Sequence, residues 1–474
     1  MKTDRIGKWR QFLAAILANL AAFCVGTMLG WTSPMQPLLE SDPPPVGSTP
    51  MTREEISWIG SINFIGAITG TFVWGRVSDR FGRKTTGLII ALPFVIGWTV
   101  ILFAYNHVLL YVGRVCIGFG CSGVIINTPM FLTEISQDSI RGSLGSFLMM
   151  FINTGCLFCY IIGSFTSFHT LTGICLLIPI IYVACFSWFP ESPVFLYTKG
   201  SKEKAQKSLQ WYRGDDPAQA EKELILLEGR SKKSVGYRTL IQSRGTIKAL
   251  LLGFGFIFGQ QFCGILAILT YTVTIFKESG SGLPPHVSAI MVGTLQLVSS
   301  LLSIVLVDKA GRRILLGTSY AAMGLSLFAL GAYFKFSLPY AWIPITSLSL
   351  HVISYSFGAG PVPFILMSEI FPAQVRGLAI SVIQLLGTSL SFASVKLFPS
   401  FVSLLGQSGC FFFYGGCCLG LVFFTLLAVP ETKGRTLQSI LRQMNGDSGD
   451  EVTDMVSGGN KIVIMPKKEL EPIK

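Results

Sequence analysis

The chain has 474 residues, 50% of them hydrophobic and only 13% charged, with a formal net charge of +12. A soluble protein of this length needs more polar surface than that to cover itself, so the composition points to a polytopic membrane protein. A charge of +12 would suit a nucleic-acid partner only if it gathered on one surface, so its distribution along the chain decides.

Apolar runs long enough to cross a bilayer fall at residues 11 to 31, 57 to 75, 86 to 105, 110 to 131, 143 to 164, 171 to 189, 250 to 272, 288 to 307, 314 to 334, 341 to 362, 378 to 398 and 410 to 429. The first follows Lys2, Arg5, Lys8 and Arg10 and reads as an uncleaved helix, because its apolar core exceeds that of a typical signal sequence. It is expected to end at Gly30-Trp31-Thr32-Ser33-Pro34, before an external loop that Pro43-Pro44-Pro45 keeps extended. The second opens at Thr52-Arg53-Glu54-Glu55, a capping-box pattern, and closes in the basic stretch Gly75 to Lys84, read as a turn.

With the N-terminus in the cytoplasm, 32 of the 37 Lys and Arg lie on cytoplasmic segments. Arg53, Lys277, Lys335 and Lys396 fall outside, and Arg114 lies within the fourth run near its outer end, where it could snorkel. The basicity is therefore topology. Nucleic acid is not an expected partner, and both termini are expected in the cytoplasm.

Three signatures occur twice in the same order. The Gly-Arg turn after the second run returns as Val307-Asp308-Lys309-Ala310-Gly311-Arg312-Arg313 after the eighth. Glu134, seven residues before Arg141, returns as Glu369, seven before Arg376. Pro190-Glu191-Ser192 returns as Pro430-Glu431-Thr432. The offsets are 229, 235 and 240 residues, so six helices are duplicated about an axis along the membrane normal. This gives an all-α fold of twelve spans in two pseudo-symmetric bundles, residues 1–193 and 246–436. Residues 194–245 form a cytoplasmic linker with short amphipathic helices at Lys202 to Tyr212 and Pro217 to Leu227, and residues 437–474 a largely disordered cytoplasmic tail.

Within the seventh run stands Phe258-Gly259-Gln260-Gln261-Phe262-Cys263-Gly264-Ile265. Unpaired amides are costly in a bilayer, so the two glutamines need partners, either neighbouring helices or a solute. On one continuous helix Gln260 and Tyr271, eleven positions apart, return to nearly one face and form a polar stripe. In the tenth run, Gly358, Gly360, Pro361 and Pro363 remove backbone donors and loosen the helix, so a bend or break is expected there, read as a hinge. The eleven cysteines all lie in spans and the four histidines are scattered, so no disulfide, metal site, cofactor or catalytic constellation is expected.

At these motifs, and across essentially all twelve spans, the chain resembles the sugar porter family of the major facilitator superfamily, which includes the glucose transporters. Gly358-Ala359-Gly360-Pro361-Val362-Pro363 and Pro430-Glu431-Thr432-Lys433-Gly434-Arg435 are part of that likeness. Gly30-Trp31-Thr32-Ser33-Pro34 and Ser57-Trp58-Ile59-Gly60-Ser61 look most like the insect facilitated trehalose transporter branch. The resemblance implies the major facilitator fold and alternating access, in which two bundles rock about a central solute site in the plasma membrane. It also implies solute contacts from Gln260, Gln261 and Gln296, with Phe364 standing where a tryptophan is familiar and Tyr271 closing the outer mouth. Glu134, Arg141, Glu191, Glu369, Arg376 and Glu431, assisted by Arg83, Arg312 and Arg313, are expected to form a gate that pairs across the bundles when the cytoplasmic side closes.

Met149, Leu266, Phe364 and Gly387 depart from the polar or aromatic residues of familiar glucose transporters, which keeps the substrate open. A different small organic solute, or a nutrient sensor that does not transport, are the alternatives. Gly26 and Thr27 stand where proton-coupled sugar porters carry Asp, and no Asp or Glu lies in the central part of any run. Without a buried carboxylate to carry a proton, a uniporter for a sugar, such as trehalose or a hexose, is the expected function.

Overall fold

The computed structural model describes residues 2–137, 139–228, 244–280, 283–371 and 373–432, and among them every regular element is helical. The side chains of residues 304–310 and of Arg376, and all of residues 437–474, lie outside the described part, and with them the Arg376 member of the gate and the expected tail. Among the described residues eleven stretches are long and apolar enough to cross a membrane, and the last, Gly377–Ala428, is two spans meeting at Gly406, where φ is 71°. Twelve spans result.

The first span does not stop at Pro34. It runs on to Leu39 through both Pro34 and Pro37. A proline inside a helix costs a hydrogen bond, but tertiary packing offsets it here. The Pro34 ring sits against Gly163 so closely that a Cβ there would lie 2.7 Å away. Trp31, fully buried, donates from Nε1 to Thr172 at 3.2 Å.

The second span, Arg53–Phe81, starts at the expected capping box, with Thr52 and Glu55 exchanging hydrogen bonds. The basic stretch that follows is not a loop. Its helix continues through Phe81, and Gly82 alone, at φ 98°, turns the chain into Arg83–Leu102. Gly311, at φ 88°, does the same between Pro285–Ala310 and Arg312–Phe336. A one-residue turn at positive φ is open to glycine because it lacks a Cβ.

Within the first half the first span packs on the fifth, and the second and third on the fourth. The halves meet through the second on the eleventh and the fifth on the eighth. These two contacts are exchanged by the repeat. The helices Pro193–Thr198, Lys202–Tyr212 and Pro217–Glu228 lie at the end carrying Arg83 and Arg312, here the basic end. Gln11 and Arg213 tie them to the first half, at 2.8 Å to Tyr212 O and Ile135 O respectively.

The seventh span is broken into Arg244–Phe262, Ile265–Thr270 and Thr272–Ser279, with Gly264 at φ 82°. Gln260 and Tyr271 therefore stand on different pieces, and the single polar stripe expected of a continuous helix does not form. The tenth span is helical over Trp342–Ser354, widens into a π-helical turn at Tyr355–Ala359, and resumes at Val362–Ile370. The expected irregularity at Gly358 to Pro363 is thus a widened turn followed by Pro361 at the start of the new segment.

Candidate functional site

A π turn withdraws backbone groups from the helical ladder, and in a membrane protein each must find another partner. Gln260 supplies two, its Nε2 donating to Ala359 O at 3.0 Å and Gly360 O at 2.9 Å. Ser319 donates to Ser354 O at 2.6 Å and accepts from Ala359 N at 3.0 Å, while Ser303 donates to Phe357 O at 3.2 Å. Gly358 lies so close to the ninth span that a Cβ would be 2.5 Å from that of Ser319. One member of the glutamine pair is thus spent in part on the fold of the tenth span.

Gln261 is used differently. Its Oε1 accepts from Ser391 at 2.9 Å, and its amide nitrogen has no partner among the described residues. Gln296 donates to Asn153 Oδ1 at 3.2 Å across the halves. On these four residues one amide atom each has no partner among the described residues: Gln260 Oε1, Gln261 Nε2, Gln296 Oε1 and Asn153 Nδ2. Two accept and two donate, and a hydroxyl-rich solute can satisfy both kinds because each hydroxyl does both. Gln260, Gln261 and Gln296 are all buried, and Phe364 is a half-buried ring packed on the core. At Gly387 a side chain would meet Ile257 at 2.8 Å, so no asparagine fits there without movement.

At the opposite, aromatic end the halves close on each other, and Tyr271 there is held within the second half. Its ring stacks on Phe398 with centroids 5.1 Å apart, and its hydroxyl donates to Val395 O at 3.3 Å. Gly60 of the second span fits between Thr270 and Val395, each about 3.1–3.2 Å from where a Cβ would sit. Lys396 crosses to the second span, donating to Ser57 at 2.7 Å with its ammonium 4.3 Å from the centre of the Trp58 ring. Arg53 reaches Glu278 at 3.3 Å, Ser33 accepts from Val273 N at 3.2 Å, and Tyr160 donates to Leu269 O at 2.8 Å. Nearby, Arg114 is fully buried and binds Ile59 O at 3.0 Å, Met28 O at 2.8 Å and Thr32 at 2.9 Å, tying together the first, second and fourth spans. It does not snorkel.

The basic end is built twice, once in each half. Glu191 accepts from the backbone of Arg83 and Lys84, both at 2.8 Å, and so caps the third span, where its charge meets the positive end of the helix dipole. Glu431 caps the ninth through Arg312 N and Arg313 N, both at 3.2 Å. Arg83 binds Glu134 at 3.1 Å, and Arg312 binds Glu369 at 3.3 Å. Ser192 donates to Glu134, and Thr432 to Glu369. Glu134 takes both of its described partners, Arg83 and Ser192, from its own half. Arg141 is exposed and donates to Ser136 O at 3.4 Å, and Arg313 donates to Leu426 O. A Cβ on Gly142, Gly145 or Gly377, at the basic ends of the fifth and eleventh spans, would meet only open space. The described cross-half contacts run from mid-span to the aromatic end.

Sequence reasoning did not single out Asn153, Ser391, Ser319 or Lys396 as site residues. Asn153 and Lys396 had a signal, as polar groups inside apolar runs. The two serines had none.

The model of the sugar (and other) transporter family matches residues 14–443. This chain belongs to that family. It is 35% identical over 94% of its length to the facilitated trehalose transporter Tret1 of Drosophila yakuba, covering 53% of that protein. It is 34% identical to the facilitated trehalose transporter Tret1 of Polypedilum vanderplanki, covering 94% of this chain and 90% of that one. The chain thus spans about half the length of several of the curated relatives it matches. In fold it is similar to the xylose transporter XylE from E. coli in a partially occluded inward-open conformation, with a TM-score of 0.76 at 24% identity over 90% of this chain and 99% of that one. An inward-open structure of XylE gives 0.77 at 22% identity, over 91% and 99%.

Proposed function

We propose that this protein is a facilitative transporter that carries a sugar, trehalose or a hexose, across the plasma membrane by alternating access, with its basic end in the cytoplasm. The observation that carries this is the set of open amide groups on Gln260, Gln261, Gln296 and Asn153. They lie mid-span, the three glutamines buried and Asn153 half-buried, and are closed off at the aromatic end by Tyr271 and Lys396. Trehalose is favoured by the similarity to the insect transporters of that name.

Uniport is supported by the charges. Among the described residues no Asp or Glu is buried, and Arg114, the buried cation of the first half's core, is satisfied by carbonyls, Thr32 and the Trp31 ring. No buried carboxylate is thus available among the described residues to carry a proton. The Gly358 to Pro363 segment acts as the hinge, and the two carboxylate networks act as the gate on the cytoplasmic side.

The test is uptake of labelled trehalose, glucose and fructose into proteoliposomes at two external pH values, for the wild type and Gln261→Ala. Saturable uptake of one sugar, unchanged by pH and reduced roughly tenfold or more in the variant, is expected. A folded, inserted protein that moves none of the three overturns the sugar assignment.

A further inference from the structure

A groove of about 420 Å³ opens at the basic end, between the first half and the linker. Lys84 lines it from the start of the third span, Trp188 from just past the sixth, and Lys204, Lys207 and Trp211 from the linker helix Lys202–Tyr212. Its wall holds three lysines and no carboxylate, and none of the three is ion-paired among the described residues. Uncompensated cations converging on one cavity favour an anion.

The level of the groove says where that anion comes from. Trp188 is 86% exposed and lies two residues past Phe186, the last of the sixth span. A tryptophan at a span end marks the boundary between hydrocarbon and water, at the depth of the headgroups. One side of the groove is therefore open to lipid, and basic pockets at that depth suit phosphorylated headgroups. Ser208, in the wall, donates to the backbone carbonyl of Glu191 at 2.6 Å, so the groove adjoins the residue whose carboxylate caps the third span.

We propose that this groove binds the phosphorylated headgroup of an anionic lipid in the leaflet at the basic end. Lys84, Lys204 and Lys207 neutralise the phosphates, and Trp188 and Trp211 pack on the glycerol and the upper acyl chain. Occupancy clamps the linker helix onto the first half beside Glu191, which couples lipid composition to the basic-end network. The proposal requires the chain to span a membrane and is independent of the solute carried.

The test uses the full chain in phosphatidylcholine nanodiscs with and without a phosphoinositide bisphosphate, with bound lipid counted by native mass spectrometry. Lys204→Ala/Lys207→Ala removes two exposed cations and should weaken phosphoinositide binding roughly ten- to thirtyfold, while Lys204→Arg/Lys207→Arg should retain it. Sugar uptake in lipid without phosphoinositide should be the same in all three proteins. Equal lipid binding by the alanine variant overturns the proposal. So does soluble inositol trisphosphate binding as tightly as the lipid, which would make this a free-phosphate site.

Discussion

The two ends of the molecule use charge in opposite ways. At the aromatic end, Lys396 over Trp58 and on Ser57, Val273 N on Ser33 and Tyr160 on Leu269 O join one half to the other through a cation over a ring and hydrogen bonds to side chain and backbone. At the basic end, Glu134 and Glu191, and in the second half Glu369 and Glu431, hold turns and helix starts inside their own halves. The first kind of contact must break if the halves are to separate there. The second can persist through the motion and keep each half rigid while it moves. The carboxylates are thus first of all parts of each half's frame, and any pairing across the halves is added to that.

The largest effect should come from breaking the frame. Glu134→Ala leaves the guanidinium of Arg83, only 3% exposed, with Asp79 and Ser78 O but without its main counter-ion. Thermal unfolding in detergent should register a loss of about 3 kcal/mol, the lower end of the range for a broken buried pair. A loss below about 1 kcal/mol would mean the pair behaves as a surface one. Next comes Gln260→Ala, which orphans the carbonyls of Ala359 and Gly360 and should cost about 1–2 kcal/mol by the same measurement. Stability equal to wild type would show that the π turn does not need Gln260.

Lys396→Met keeps the length of the side chain and removes the charge. It should leave stability nearly intact and shift the balance between the two openings by about 1 kcal/mol, roughly fivefold, towards opening at the aromatic end. Exchange kinetics of labelled sugar would show this as a changed ratio of inward to outward affinities. Smallest of all, Arg141→Ala should change stability by less than about 0.5 kcal/mol, because the side chain is exposed. A loss as large as that of Glu134→Ala would place Arg141 in the frame.

The architecture was legible in the sequence because it rests on repeats and hydropathy. Duplicated motifs at nearly constant offsets revealed two six-helix halves, and the charges between spans set the ends apart. Glycine and proline signalled the break near Gly358, but the same signals misled at Pro34, where packing on Gly163 carries the helix onward, and at Gly75 to Lys84, where one glycine does the work of a loop. The pairing of side chains was less visible. Glu134 and Arg141 are neighbours in sequence, yet Glu134 binds Arg83 from another span, a choice set by how the third span packs on the fourth. Gln260 looked like a solute contact, and its donor is taken by carbonyls 99 and 100 residues away. That the tenth span would widen into a π turn and need those donors had no counterpart in hydropathy or motif.

The central claim is that the two ends open reciprocally about the buried amides, and hydrogen exchange of wild type and Lys396→Met in nanodiscs tests it most directly. The account predicts faster exchange in peptides covering residues 53–62 and 390–399 of the variant, together with slower exchange at the basic ends of the fifth and eleventh spans. Faster exchange at both ends, or at the aromatic end alone, would contradict it.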